Sequence, residues 1–384
     1  MHRFIGLDVH KAYVYGYELQ EKGTGRTFRF PNTPEGWTKF CATLDGSAHV
    51  ALEVTGNAYR CYDLVSPHAG KVLLVNPSAR RRLGVKTDRL DAKTMAEQLA
   101  LGLIPEVWVP PAPIRELRVL IKHRYNLVRR RTMFKNALKA ALLRNGLTLD
   151  RFAAITERAL EKWLRADLSE ADRLVLVSSA AMVMALDVQV AEVERQILKR
   201  VRGVGAVRQL ASIPGLGLIS AAAIYAFVGD PQRFGNGKAV ARYAGLDPAV
   251  YQSGQTHRIG RISKQGPPLL RWHLVEAAWS IGRFDRGPLG QFYRRMQASQ
   301  SPAKAAVATA RKLLVVAWAM WRRGEVYRAD QPSPSYARKL RELDRQAEQA
   351  APLEELIQRL RVELDTPPAQ GATGRRGGSL GAAA

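Results

Sequence analysis

Four acidic residues and one serine carry the chemistry that this sequence suggests. Asp8 closes the apolar run Phe4-Ile5-Gly6-Leu7, and Glu53 closes another, His49-Val50-Ala51-Leu52. Asp88 and Asp91 stand three apart in Lys86-Thr87-Asp88-Arg89-Leu90-Asp91-Ala92-Lys93, and Ser253 comes much later, in Tyr251-Gln252-Ser253-Gly254-Gln255. Residues three apart on a helix share one face, and side chains at strand ends project from a sheet edge. The four carboxylates can therefore converge as hard oxygen ligands for a divalent ion, Mg2+ or Mn2+. Two such ions flanking a phosphodiester would serve the nucleophile and the leaving oxygen. Taken singly, each acid has a plainer reading: a strand-end Asp is a turn residue, and Asp88 after Thr87 caps a helix. The combination favours metal.

The serine needs different support. A small hydroxyl beside glycine, followed by Arg258, Arg261 and Lys264, is what a phosphate-attacking serine requires. Glycine admits close approach of a backbone, and cations offset charge on phosphorus. On its own, a Ser-Gly pair in a loop is a turn. Further upstream, Ile213-Pro214-Gly215-Leu216-Gly217 has the form of a helix-hairpin-helix turn, with Gly215 and Gly217 exposing amides at a helix start that bind phosphate. The competing reading is a hairpin of shape alone within a helical core.

Charge indicates the substrate class. The 384 residues carry a formal net charge of +25, which points to a polyanionic partner because each Lys or Arg on a phosphate releases a counterion. Residues 201–330 hold 19 Lys and Arg against 6 Asp and Glu, whereas residues 1–110 hold 14 against 11. Most of the positive charge thus lies away from the acids. Cys41 and Cys61 support neither a disulfide framework nor a zinc site. The N-terminus enters a strand-like run without a secretory apolar segment, and no apolar run of about 18 residues lacks charge. A reduced, soluble, cytoplasmic protein with no membrane span is expected.

The elements that must position these residues follow from periodicity. Arg3–Asp8 and Ala12–Leu19 read as a hairpin, with Arg26–Phe30 as a third strand. Helices over Pro34–Leu44 and Asn57–Ser66 alternate with strands His49–Val54 and Lys71–Asn76. A short helix opening at Pro77 and an acidic helix from Asp88 to Leu101 complete an α/β unit. After the Pro110-Pro111-Ala112-Pro113 cluster the pattern changes to two long amphipathic helices, the first from Ile114 to Asn145-Gly146 and the second over Ala171–Val201. Together they suggest an antiparallel coiled-coil arm suited to self-association. Arg124 and Arg131 interrupt its first seam, which suggests that part of the arm faces a phosphate or another subunit. Residues 205–330 form a third unit; a charged helix, Ala337–Leu364, precedes a Gly-, Ala- and Pro-rich tail, Pro367–Ala384, read as disordered.

In order and combination, several strings resemble the transposases of the IS110 insertion-sequence family, including its IS1111 branch, over residues 3–325. They are Gly6-Leu7-Asp8-Val9-His10-Lys11, Glu53-Val54-Thr55-Gly56, Lys86 through Ala92, the Ile213–Gly217 hairpin, and Gln232-Arg233-Phe234 through Gly266. The resemblance implies a RuvC-like, ribonuclease-H-type domain over 1–110 whose Asp-Glu-Asp-Asp site is Asp8, Glu53, Asp88 and Asp91. It further implies a coiled-coil linker over 111–204, a mainly helical transposase domain over 205–330 with Ser253 as nucleophile, and a helical extension with tail over 331–384. A site-specific recombinase is implied in which the serine becomes covalently joined to DNA. Donor and target DNA, a structured noncoding guide RNA and a homo-oligomer, dimer or tetramer, are the implied partners, in a nucleoid-associated setting. His10 stands where many members carry a smaller residue, outside the acidic set. The alternative is a metal-dependent nuclease resembling a Holliday-junction resolvase, in which water attacks and the serine has no role.

Overall fold

The computed structural model describes residues 2–19, 25–53, 56–75, 88–149, 154–253, 256–327 and 334–348. The chain forms two compact units, Met1–Pro111 and Ala112–Ala384.

The first unit is a five-stranded mixed sheet. Strands β1 (Arg3–Val9), β2 (Tyr13–Leu19) and β3 (Gly25–Pro31) form an antiparallel meander, while β4 (Ala48–Glu53) and β5 (Lys71–Val75) add in parallel, giving the order β3-β2-β1-β4-β5. Because side chains alternate across a strand, Ile5, Leu7, Val9, Val50 and Leu52 share one face. There they pack with Trp37 and Phe40 of α1 (Pro34–Cys41) and Cys61 and Val65 of α2 (Ala58–Val65). Cys41 and Cys61 are free thiols buried in that layer. The opposite face carries α3 (Asp88–Ala100), which buries Ala92, Met95, Ala96 and Leu99 against Ala51, Leu73 and Tyr17. Gly6 makes this approach possible: a Cβ there would lie 2.1 Å from the carbonyl oxygen of Ala92. The expected short helix at Pro77 lies outside the described residues.

The second unit is helical apart from one hairpin. Helices α4 (Ala112–Arg144) and α6 (Glu170–Val201) run antiparallel, since their ion pairs reverse in order: Arg124 with Glu194, Arg131 with Asp187, Arg144 with Asp172. At the far end, α5 (Glu157–Leu164) closes a small core of Leu138, Leu142, Trp163 and Leu176. The suggestion that Arg124 and Arg131 face a phosphate or another subunit is corrected here. Both guanidiniums are taken up by acids of the facing helix, at 2.6 Å and 2.5 Å, which is how a seam accommodates charge without losing helix pairing. By length and composition α6 alone among the described helices is apolar enough to cross a membrane; its single central acid, Asp187, is the partner of Arg131.

A larger core then gathers α7 (Gly205–Ala211), α8 (Leu218–Val228), α10 (Pro268–Phe284), α12 (Pro302–Arg323) and the inner stripe of α6. Helices α9 (Gly237–Tyr243), α11 (Pro288–Ser299) and α13 (Pro334–Glu348) lie around it. The expected loop around Ser253 is instead a two-stranded antiparallel hairpin, β6 (Pro248–Ser253) and β7 (Thr256–Ile262). Val250, Tyr251, Thr256, Ile259 and Ile262 flank Gly254 with β-branched and aromatic residues, which is a hairpin signal. Helix α13 ends at Glu348 among the described residues; residues 349–384, with the tail read as disordered, lie outside them.

Candidate active site

The acidic cluster is assembled by register and periodicity. Leu7 of β1 is paired with Leu52 of β4, so the next residue on each parallel strand is an acid, Asp8 beside Glu53, and both turn to the face that α3 covers. The first turn of α3 supplies Asp88 and Asp91, on the same stripe as the buried Ala92 and Met95. Glu53, Asp88 and Asp91 are near enough to act electrostatically on Asp8. Asp8 is 8% exposed. Burial holds its carboxyl above the ordinary range, the three other acids push the same way, and His10 opposes them. Asp8 and Asp88 come close enough to share one ion, Glu53 and Asp91 act on Asp8 from farther off, and such like charges repel one another unless a cation joins them. That donor set fits a divalent ion.

Two further residues complete the cluster. His10 lies two positions beyond Asp8, and its Nε2 is 3.3 Å from Asp8 Oδ2 and 3.1 Å from Asp88 Oδ2. Asp8, His10 and Asp88 thereby present three ligand atoms within 4.8 Å of one another. Tyr13 donates its hydroxyl to Asp88 Oδ2 at 2.9 Å, and the carboxylate holds the phenol above its ordinary pKa. The Tyr13 ring lies between His10, 4.7 Å away, and the Arg29 guanidinium, 3.7 Å away. Sequence reasoning placed His10 outside the site and overlooked Tyr13. The nearness of His10 to Asp8 in Asp8-Val9-His10, one residue past the end of β1, was the usable signal.

Ser253 belongs to the second unit. It is the last residue of β6, paired with Thr256 across the hairpin, and Arg258 of β7 is paired with Tyr251. Gly254, Gln255 and the side chains of Ser253 and Arg258 lie outside the described residues. The root of the hairpin is held firmly: Ser263 donates its hydroxyl to Asp247 Oδ1 at 2.6 Å, and its backbone N–H to Asp247 O at 2.8 Å. Arg261 and Lys264 are exposed beside that root. The described geometry places the four acids in one unit, with Asp8 and Asp88 close together, and puts Ser253, Arg258 and Arg261 on the strands of one hairpin in the other, with Lys264 just beyond it.

The Ile213–Gly217 string is a helical hairpin between α7 and α8. Gly215 has φ +76°, and a Cβ there would meet Ile281 at 2.7 Å, so the turn is closed against α10. Gly217 opens α8 without a side-chain cap and faces open space, leaving the first amides of α8 toward a cleft of about 610 Å³ that Arg124, Trp272 and Arg338 also line. Lys339 of α13 donates to the carbonyls of Ala211, Ile213 and Leu216 at 2.8, 3.2 and 2.8 Å. Burial and Arg338 lower its pKa to about 8; three acceptors around one nitrogen require the charged ammonium, because a neutral amine has only two protons to give.

The chain is similar to known transposases. The profile of the Transposase IS116/IS110/IS902 family matches residues 207–294, and a DEDD transposase profile of the IS110 type matches residues 5–145. The chain is 29% identical over 288 residues to a Pseudomonas aeruginosa protein named "Probable family 20 transposase", covering 73% of this chain and 85% of the relative. It is 26% identical over 287 residues to the transposase for insertion sequence element IS1111A of Coxiella burnetii, covering 73% and 79%. It is also 24% identical over 349 residues to the pilin gene-inverting protein of Moraxella bovis, covering 84% and 97%.

Proposed function

Because the chain belongs to the IS110-type transposase family, and so is a DNA transposase with a DEDD domain implying divalent-metal dependence, we propose that it cuts and rejoins DNA through two cooperating groups. Asp8, Glu53, Asp88 and Asp91 hold the divalent ions, Mg2+ or Mn2+, and Ser253 is the nucleophile. When bound, the ions polarise the scissile phosphate and stabilise charge on its oxygens. The observation that carries the reading is the placement of four carboxylates at the ends of β1 and β4 and in the first turn of α3, with Asp8 and Asp88 near enough to share an ion. A mixed sheet delivering them in this way supports the assignment of the first unit as RuvC-like, and the antiparallel α4–α6 pair supports a coiled-coil arm between it and a serine-bearing transposase domain.

The residues divide the work. The acids would hold the ions that orient the phosphate, and Tyr13 fixes the carboxylate of Asp88. Ser253 Oγ forms a bond to phosphorus as the bond to the leaving sugar oxygen breaks, the hydroxyl proton passing to solvent and the sugar oxygen taking one up. Reversal of that step onto another strand rejoins DNA without loss of bond energy. Arg258, Arg261 and Lys264 neutralise backbone phosphates near the hairpin, and the turn at Gly215 and Gly217 offers α8 amides to another phosphate. A structured noncoding RNA supplies the choice of donor and target, and the protein acts as a dimer or tetramer. Val119, Met133, Leu174 and Val188, large apolar residues exposed along α4 and α6, support assembly through the arm.

The experiment is cleavage of DNA bearing the element's ends. Asp91→Ala is expected to abolish Mg2+- or Mn2+-dependent cleavage while DNA binding and circular dichroism stay as in the wild type. Cleavage by Asp91→Ala at the wild-type rate would remove the acidic-site assignment, and free nicked ends without covalent adduct from the wild type would favour a hydrolytic nuclease.

A further inference from the structure

His10 has no part in a four-carboxylate site, yet its ring nitrogen lies beside two of the four, Asp8 and Asp88. Nε2 is buried and lies within 3.3 Å of a carboxylate oxygen on either side, but among the described residues it makes no hydrogen bond. An imidazole serving as a counter-charge would aim its N–H along one of those directions. Here the nitrogen is aimed at neither oxygen. Ligands at about 2.1 Å and at right angles around one ion are about 3.0 Å apart; the two separations, 3.3 and 3.1 Å, are close to that edge.

The main chain of His10 is fixed by neighbours that do not depend on an ion: its backbone N–H donates to the backbone carbonyl of Tyr13 at 2.9 Å, and its own carbonyl accepts from Asn32 Nδ2 at 2.7 Å. The imidazole rests on the Tyr13 ring, whose hydroxyl in turn orients Asp88. Such outer contacts are what fix a ligating histidine and carboxylate in register.

We propose that His10 Nε2 is itself a ligand of the ion held by Asp8 and Asp88, so that the site is a mixed nitrogen–oxygen one with a preference for Mn2+ over Mg2+. The inference rests on the acidic cluster being a metal site, as proposed above. Mg2+ demands oxygen donors in a near-ideal octahedron, whereas imidazole suits borderline transition ions. A nitrogen in the set therefore discriminates between the two ions that four carboxylates alone accept almost equally.

The test uses the full chain without DNA, loaded with Mn2+, and reads the electron spin-echo modulation of the ion. Wild-type protein is expected to show coupling to a directly bound nitrogen, shifting in frequency when histidine alone is labelled with 15N, and His10→Ala and His10→Gln are expected to lose it. In competition binding, the Mn2+ affinity should fall by about tenfold or more in both variants, with Mg2+ affinity nearly unchanged. A wild-type spectrum from bound Mn2+ with no nitrogen coupling would overturn the proposal while leaving the carboxylate site standing, as would coupling that persists in His10→Ala. Failure of the wild type to bind Mn2+ at all would overturn both readings. The wild-type spectrum decides even where a variant fails to fold.

Discussion

Replacing Asp8 with Asn keeps the size of the side chain and removes one charge from the cluster. Asp8 is 8% exposed, and its carboxyl is raised by burial and by Glu53, Asp88 and Asp91, against the opposing influence of His10. Two unit charges about 5 Å apart repel by roughly 3 kcal/mol at an effective dielectric constant of about 20. Allowing for what His10 offsets, Asp8→Asn should stabilise the metal-free protein by roughly 1–2 kcal/mol, a shift of a few degrees in Tm. Metal at about 100 times its Kd stabilises a binding-competent chain by about 2.7 kcal/mol, and the variant should gain little of this. A carboxyl whose native pKa lies above its ordinary 3.8 binds protons more tightly folded than unfolded. Stability contributed by Asp8 protonation is thus lost as pH rises from about that value through the native pKa, and Asp8→Asn lacks that part of the slope. Differential scanning calorimetry in chelator, then in Mn2+, reads all three effects. A variant less stable than wild type in chelator, or one that gains the full stabilisation from Mn2+, would refute the reasoning.

Other expectations follow from single features. Lys339→Met leaves three buried carbonyls without their shared donor and should destabilise the second unit by about 2–4 kcal/mol in urea unfolding; a change within error would mean that α13 does not secure the hairpin. Leu174→Glu with Val188→Glu puts charge on the exposed apolar residues of α6 and should lower the oligomeric state in analytical ultracentrifugation without loss of helicity. An unchanged sedimentation coefficient would exclude that face from assembly. Replacing Arg258 and Arg261 together should reduce the slope of log affinity for DNA against log salt by up to about 2, and an unchanged slope would mean that neither cation meets a phosphate.

Much of the first unit was legible because period-2 alternation in Ile5-Leu7-Val9 and Val50-Leu52 fixes which side of each strand is buried. The same alternation places Asp8 and Glu53 on the opposite side. The placement of Asp88 and Asp91 in the first turn of one helix was legible from their three-residue spacing. What sequence alone left open was depth. Nothing in the string reveals that Gly6 lets α3 approach β1 closely enough to bury Asp8, or that Tyr13, across a hairpin, reaches Asp88. Arg124 and Arg131 misled for a related reason: their partners, Glu194 and Asp187, lie 70 and 56 residues away on a facing helix, beyond the reach of local pattern. The hairpin around Ser253 was missed because its glycine and polar residues outweighed the flanking Val250, Ile259 and Ile262.

The most direct measurement concerns the serine. Wild-type protein incubated with Mn2+ and DNA bearing the element's ends can be denatured, digested with nuclease and trypsin, and examined by mass spectrometry. The expected result is a nucleotide remnant esterified to Ser253, absent from Ser253→Ala and from Asp91→Ala, as the proposal that acids and serine act on one phosphate requires. A remnant on another residue, or a full yield of covalent adduct from Ser253→Ala, would contradict it.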